Sequence, residues 1–259
     1  MPDLDAIADR LAAAVEQVTD IERFTATEPD LTIEQAYDVQ WRGIERRLAA
    51  GERIVGAKLG LTSRAKQRQM SVDDPLYGWL TDAMVHEAAT PLPLDRLIHP
   101  RVEPEIAFLL GEELAGPTTV VEVLAATEAV FGALEVIDSR YRDFDFRLPD
   151  VVADNASASA ASLIVGPVAA APADVGDLRL LGCVLRRDGE LVATAAGAAV
   201  MEHPAAAVAW LANRLAEQGR TLPAGSLILS GALTDAVAIG AGQTVSAEFD
   251  GLGTVTAAA

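Results

Sequence analysis

The hydrophobic pattern changes period near residue 52, and that change limits the possible folds more than any other feature of the chain. Before it, apolar residues recur at helical spacing. Leu4, Ile7, Leu11, Ala14 and Val15 line one face of a helix over residues 3–18. A second helix starts after Thr32, where Gln35 stands three positions on and completes a capping-box pattern. It runs through Tyr37, Val39, Gln40 and Ile44 to Leu48, and Gly51 stops it. From Arg53 onward, short apolar runs bounded by Gly, Pro and Asp take over: Ile54–Leu61, Val102–Leu110, Leu134–Ile137, Leu180–Leu185, Leu227–Leu229 and Val245–Phe249. Their length and flanks are those of strands. Helices interrupt them at about 63–70, 119–129 and 204–218, the last opened by His203-Pro204. The expected class is α+β: a helical N-terminal region over 1–52 and a β-rich body over 53–259, which can form one integrated domain. Ala169–Val175 reads as a surface linker within the body, and Thr254–Ala259 as a tail free to fray.

Charge narrows the function. With 20 basic and 38 acidic residues the net charge is −18, a field that repels phosphate backbones and anionic membrane surfaces. Neither a nucleic acid nor a membrane is expected as a partner. No run approaches the ~20 apolar residues of a membrane span, the first ten residues do not resemble a signal peptide, and a lone Cys183 has no internal disulfide partner. The expected location is cytoplasmic. Gly-x-Gly-x-x-Gly, the P-loop, Gly-x-Ser-x-Gly and His-Glu-x-x-His are all absent. His86, His99 and His203 are scattered and read as structural, and Cys183 as a small buried hydrophobe.

Chemistry concentrates in carboxylates. On a strand, Glu103 and Glu105 of Arg101-Val102-Glu103-Pro104-Glu105 share one face, roughly 6.5 Å apart. At an effective dielectric of 20 they repel by about 2.5 kcal/mol, and a divalent cation would reverse that sign. Pro104 has no ladder donor and belongs at an edge or strand start. Glu135 is a single acid within the apolar run of Ala133-Leu134-Glu135-Val136-Ile137. Three carboxylates with no nearby Cys or His pair form an oxygen ligand set suited to Mg²⁺ or Mn²⁺. The alternative is a solvated sheet face with Glu135 paired to an arginine.

Lysine is scarce: Lys58 and Lys66 are the only two among the 20 basic residues, both within Gly56–Gln67. A site needing a compact ammonium with an adjustable pKa cannot use arginine. The small-residue and hydroxyl stretch Asp154-Asn155-Ala156-Ser157-Ala158-Ser159 reads as a polar turn.

These segments occur in one order: Gly56–Met70, Arg101–Phe108, Leu134–Arg140 and Val152–Ser157. Together they resemble the hydratase/decarboxylase family of the fumarylacetoacetate hydrolase superfamily, from Thr32-Ile33-Glu34-Gln35 to Gly231-Ala232-Leu233-Thr234. The resemblance implies a β-rich roll with a helical N-terminal region, and a Mg²⁺ or Mn²⁺ held by Glu103, Glu105 and Glu135. It makes Lys58 the active-site lysine and places Leu80 and Asp82 of Tyr77–Asp82 near substrate, Asp82 as a catalytic group. Thr62, Ser63, Ser157 and Arg140 become substrate-binding candidates, with Lys66 and Arg64 as weaker cations. Ser157-Ala158-Ser159 departs from the adjacent hydroxyls of the family turn, which weakens the transfer of Ser157. The implied activities are decarboxylation of 2-oxo-3-hexenedioate, a dicarboxylate 2-oxo acid, by a carbon–carbon lyase or, as the alternative, hydration of 2-hydroxypenta-2,4-dienoate. Ser63-Arg64-Ala65-Lys66, Ile98-His99-Pro100 and Ile137–Phe146 look more like the decarboxylase. Acylpyruvate hydrolysis is a second alternative. The family also implies a homo-oligomer and a complex with the pathway hydratase.

Overall fold

The computed structural model describes residues 2–63, 67–68, 74–88, 90–155 and 160–259. Helix α1 (Leu4–Glu16) is capped by Asp3, and α2 (Ile33–Ala49) by Thr32 with the expected reciprocal Gln35 bond. The apolar faces of both meet in a cluster containing Ile7, Leu11, Phe24, Ala36, Val39, Tyr141 and Val152. The third helix is α3 (Val120–Ala126), and α4 (Leu148–Ala153) adds its buried valines to the cluster of α1 and α2. A short α5 (Pro172–Val175) and the apolar α6 (Pro204–Ala216) follow. Pro204 stands in the first turn of α6, and the His203 ring accepts from Ala205 N–H. The expected helix over 63–70 lies largely outside the described residues.

Strands β1 (Ile54–Gly60), β2 (Leu76–Thr81), β3 (Pro100–Leu110), β4 (Thr127–Asp138), β5 (Ser162–Val165), β8 (Leu227–Ala232) and β9 (Val237–Ala238) form one mixed sheet. Its order is β2-β1-β8-β3-β4-β5, with β9 continuing alongside β3. A smaller antiparallel sheet holds β6 (Gly182–Arg187), β7 (Glu190–Ala196), β10 (Thr244–Phe249) and β11 (Gly253–Ala258) in the order β11-β10-β6-β7. One face of the large sheet, with Ala57, Leu59, Val102, Ile106, Phe108 and Leu134, packs into the main core with α6 and the inner face of the small sheet. The other face carries Lys58, Glu103, Glu105 and Glu135. The fold is the mixed half-barrel of the expected β-rich class.

Three expectations need correction. The expected helix over 119–129 ends at Ala126, and the strand expected at Leu134–Ile137 starts at Thr127. Thr127 Oγ1 closes the helix on Val123 C=O, and β4 pairs along β3 from Thr127 to Asp138, with one register shift at Glu128. The tail does not fray: β11 pairs residue by residue with β10, from Gly253–Phe249 to Ala258–Thr244. Pro104 sits inside a central strand, not at a sheet edge. Its carbonyl accepts from Leu233 N–H, and within a strand residue N and C=O point to the same side. The missing donor therefore faces the break between β8 and β9, where no ladder partner stands.

Candidate active site

Antiparallel pairing turns two sequence-distant acids into neighbours. Glu103 on β3 stands directly opposite Glu135 on β4, while Glu105 lies one side-chain row along the same face. The three carboxylates can each place one oxygen within 4.8 Å of the other two. All are out of water: Glu103 is 6% exposed, Glu105 and Glu135 0%. The solvated-face alternative is thereby excluded.

Lys58 completes the cluster from β1, where Gly78 opposite it leaves room on the same face. Its Nζ lies 2.7 Å from Glu135 and 3.9 Å from Glu103. In a flat sheet three strand spacings, roughly 14 Å, would separate β1 from β4. Only inward curl lets these two side chains meet.

A register shift in β8 supplies a further contact. Glu105 pairs with Ala232 but Ala107 with Leu229, so β8 holds one extra residue between them. Gly231, at φ +115°, turns its N–H onto Glu105 Oε2 at 2.7 Å. A Cβ built on Gly231 would lie 2.1 Å from Thr62 Oγ1, so glycine is required by both conformation and space.

Electrostatics identify what this cluster lacks. Burial, then the neighbouring carboxylates, hold Glu105 well above the usual carboxylate range, against Lys58 and the Gly231 N–H. Burial also pushes Glu135 up to about 7, with Glu103 adding to burial and Lys58 opposing both. Burial pulls the Lys58 ammonium downward, but Glu135, Glu103 and Glu105 outweigh it and its pKa stands above the ordinary value. Glu105 Oε1 and Glu135 Oε1 are buried with no hydrogen-bond partner among the described residues. Fully ionised, three carboxylates against one ammonium would leave two uncompensated negative charges. An oxygen-only set with orphaned lone pairs fits a hard divalent cation such as Mg²⁺ or Mn²⁺.

Through Glu103 and Lys58 the cluster opens onto a cavity of about 610 Å³ whose wall also includes Thr62, Arg101, Phe144 and Phe146. The residues of the loop carrying the two phenylalanines include Asp143 and Phe144 with φ near +55°. Left-handed backbone at a bulky residue costs on the order of 1–3 kcal/mol and is held only by its surroundings. Here His99 packs on the Phe144 ring, and Arg101 stacks its guanidinium 4.0 Å from the ring centroid.

The model for the fumarylacetoacetate (FAA) hydrolase C-terminal region matches residues 53–258. The chain belongs to the fumarylacetoacetate hydrolase family. A 4-oxalocrotonate decarboxylase from Pseudomonas sp. (strain CF600) is 46% identical over 97% of this chain and 95% of its own length. A 2-hydroxypent-2,4-dienoate hydratase from Pseudomonas putida is 43% identical over 83% of this chain and 97% of its own. Among solved structures, 4-oxalocrotonate decarboxylase from Pseudomonas putida G7, complexed with magnesium and adipate, superposes with a TM-score of 0.93. It is 43% identical, with 98% of this chain and 96% of that one covered.

Not every residue implied by the family resemblance reaches the cavity. Thr62 lines it beside Lys58, while Ser63 lies just beyond its wall. Leu80 shares the face of the acids but packs with Met84, Ala107, Ala133, Leu163 and Leu229. Asp82 is at the far end of β1, where Arg53 binds it through backbone N–H and Nε at 2.9 and 3.0 Å. Five residue steps of extended chain separate Arg53 from Lys58, roughly 16 Å, so Asp82 is not brought to the cluster. Arg140 turns away as well: its backbone N–H donates to Asp154, and its guanidinium bonds the Asp138 carbonyl. Ser157, Arg64 and Lys66 lie outside the described residues. Arg101, Phe144 and Phe146 line the cavity although residue type did not single them out. Cys183 is buried and burial pushes its thiol up to about 12, which removes it from chemistry at neutral pH.

Proposed function

We propose that this chain is a divalent-metal-dependent decarboxylase of 4-oxalocrotonate (2-oxo-3-hexenedioate), yielding 2-hydroxypenta-2,4-dienoate and CO₂. The buried cluster of Glu103, Glu105, Glu135 and Lys58 beside a cavity carries this reading, and the full-length decarboxylase relatives support it. In this substrate the distal carboxylate is a vinylogous β-keto acid, so the electrons released with CO₂ flow along the diene to the 2-oxo oxygen. Mg²⁺ or Mn²⁺, when bound, supplies positive charge where that oxygen gains electrons. Glu103, Glu105 and Glu135 would hold the ion, and no organic cofactor is required.

The protein's own groups do the rest. Lys58, on the same face, presents an ammonium that donates a hydrogen bond to the developing enolate oxygen and can supply the proton that makes it the 2-hydroxyl of the product. Phe144, Phe146, Leu61, Leu76 and Val151 give the cavity apolar walls that keep the conjugated chain planar and limit water around it.

Hydration of 2-hydroxypenta-2,4-dienoate is the second reading, because hydratases of the same family match nearly as much of the chain. Incubation with 2-oxo-3-hexenedioate and Mg²⁺ should release one CO₂ per substrate consumed, measured by coupled assay. Consumption of the dienol with water uptake and no CO₂ release from the dicarboxylate would assign the hydratase instead.

Self-association, and contact with the hydratase that consumes the dienol, are part of the proposal. Leu180 on the turn before β6, and Leu191 and Val192 on β7, are apolar and exposed, as in surfaces that are covered on assembly. Light scattering should show an oligomer; a strict monomer, alone and mixed with the hydratase, would remove this part.

A further inference from the structure

The cavity contains a cation that the cluster of acids does not use. Arg101 lies on β3 two residues before Glu103, so Arg101, Glu103 and Glu105 form consecutive rows of one sheet face. Lys58 is committed to Glu135 and Glu103. Arg101 has no carboxylate within ion-pair distance among the described residues, and its recorded contact is the Phe144 ring. The other charge on this stretch of wall is Asp235, which is exposed at the mouth and solvated.

The geometry points to Arg101 as the residue that binds the distal carboxylate of a dicarboxylate 2-oxo acid. The inference rests on the decarboxylase reading for the substrate's identity, but its physical basis is local. A guanidinium stacked on an aromatic face keeps its N–H donors at its edge, where they match a carboxylate in plane. The stacking also fixes a long side chain before substrate arrives and lowers the ordering cost of binding. The spacing is suitable. One side-chain row, roughly 6.5 Å, separates Arg101 from Glu103, and a six-carbon chain with bonds of about 1.5 Å spans roughly 6 Å between its end carbons. A substrate with its 2-oxo acid end at the glutamates therefore presents its other end at Arg101. The strained loop at Asp143 and Phe144 then has a purpose: it delivers the ring that holds the guanidinium in the cavity.

Arg101 binds the group that leaves as CO₂, so its grip is strongest before the bond breaks. Its loss should therefore appear in KM for the dicarboxylate more than in kcat.

The test compares two non-reacting probes on the Mg²⁺-loaded full chain by calorimetry: 2-oxoadipate, and 2-oxohexanoate, which lacks the distal carboxylate. Arg101→Gln should weaken 2-oxoadipate about 10- to 100-fold, the range of one charge-assisted hydrogen bond, and leave 2-oxohexanoate within about 2-fold. Arg101→Lys should recover part of the loss, and Phe144→Leu should show a smaller loss in the same direction. Far-UV circular dichroism and Mg²⁺ affinity serve as controls. Equal weakening of both probes, no weakening of either, or a parallel loss of Mg²⁺ affinity would each overturn the assignment. If 2-oxoadipate behaves as expected while 2-oxo-3-hexenedioate loses no CO₂ in the wild type, the proposed reaction fails and the carboxylate-reading role stands.

Discussion

Excess EDTA should bring turnover to background, and Mg²⁺ or Mn²⁺ should restore it. The expectation follows from charge. Glu103, Glu105 and Glu135 converge within 4.8 Å, all buried, and Lys58 neutralises only one of them. Replacing Glu105 or Glu135 by Gln should lower Mg²⁺ affinity at least about 100-fold, because a unit charge about 4 Å from a cation is worth several kcal/mol at an effective dielectric of 20. Glu105→Gln should also stabilise the metal-free protein in a thermal melt, since Glu105 has no ion-pair partner among the described residues and the change removes a charge that burial disfavours. Loss of function with a gain in stability separates a ligand from a structural acid. The pH dependence follows with a definite sign. Burial pushes Glu135 up to about 7 in the metal-free fold against an ordinary 4.5, and it raises Glu105 well above the ordinary range as well. The folded metal-free protein therefore binds more protons than the unfolded chain, and its stability falls as pH rises from about 4.5 through 7. Metal affinity should rise over the same window, with protons released on binding. Full activity in excess chelator, or Mg²⁺ affinity unchanged in Glu105→Gln, would remove the metal assignment.

Local patterns carried much of this site. Glu103 and Glu105 were legible because a strand places residues two apart on one face. Lys58 stood out because lysine is nearly absent from the chain. What no local pattern carries is register. That Glu135 stands opposite Glu103, and not one residue aside, is decided by the whole β3–β4 ladder. The reach of Lys58 across three strands depends on the curl of the sheet. Asp82 misled for the same reason: it is close in sequence to Leu80, yet a strand end separates it from the acids. Strand β2 was missed because Gly78 breaks a short apolar run, and β11 because its Thr-Val-Thr core is only three residues long between Gly253 and two alanines until β10 provides a partner. Arg101 next to a proline-containing segment reads as an ordinary surface cation until the loop at Phe144 folds back over it.

Lys58→Arg and Lys58→Ala, each saturated with Mg²⁺, should both lower kcat by at least roughly 100-fold, the lower end for a positioned acid–base group. The ammonium lies 2.7 Å from Glu135 and is 3% exposed, in a space left by Gly78 on the adjacent strand. A guanidinium is planar and longer, and it cannot occupy that space and keep the same point of charge over the cavity. Alanine leaves the buried Glu135 without its counter-charge, so the metal-free Lys58→Ala protein should melt at a lower temperature than wild type. Added Mg²⁺ should recover that stability without recovering turnover. That divergence is the decisive readout: a lysine that only balances charge would be replaced by the cation, and turnover would return with stability. Near-wild-type kcat for Lys58→Arg on 2-oxo-3-hexenedioate would reduce Lys58 to such a counter-charge.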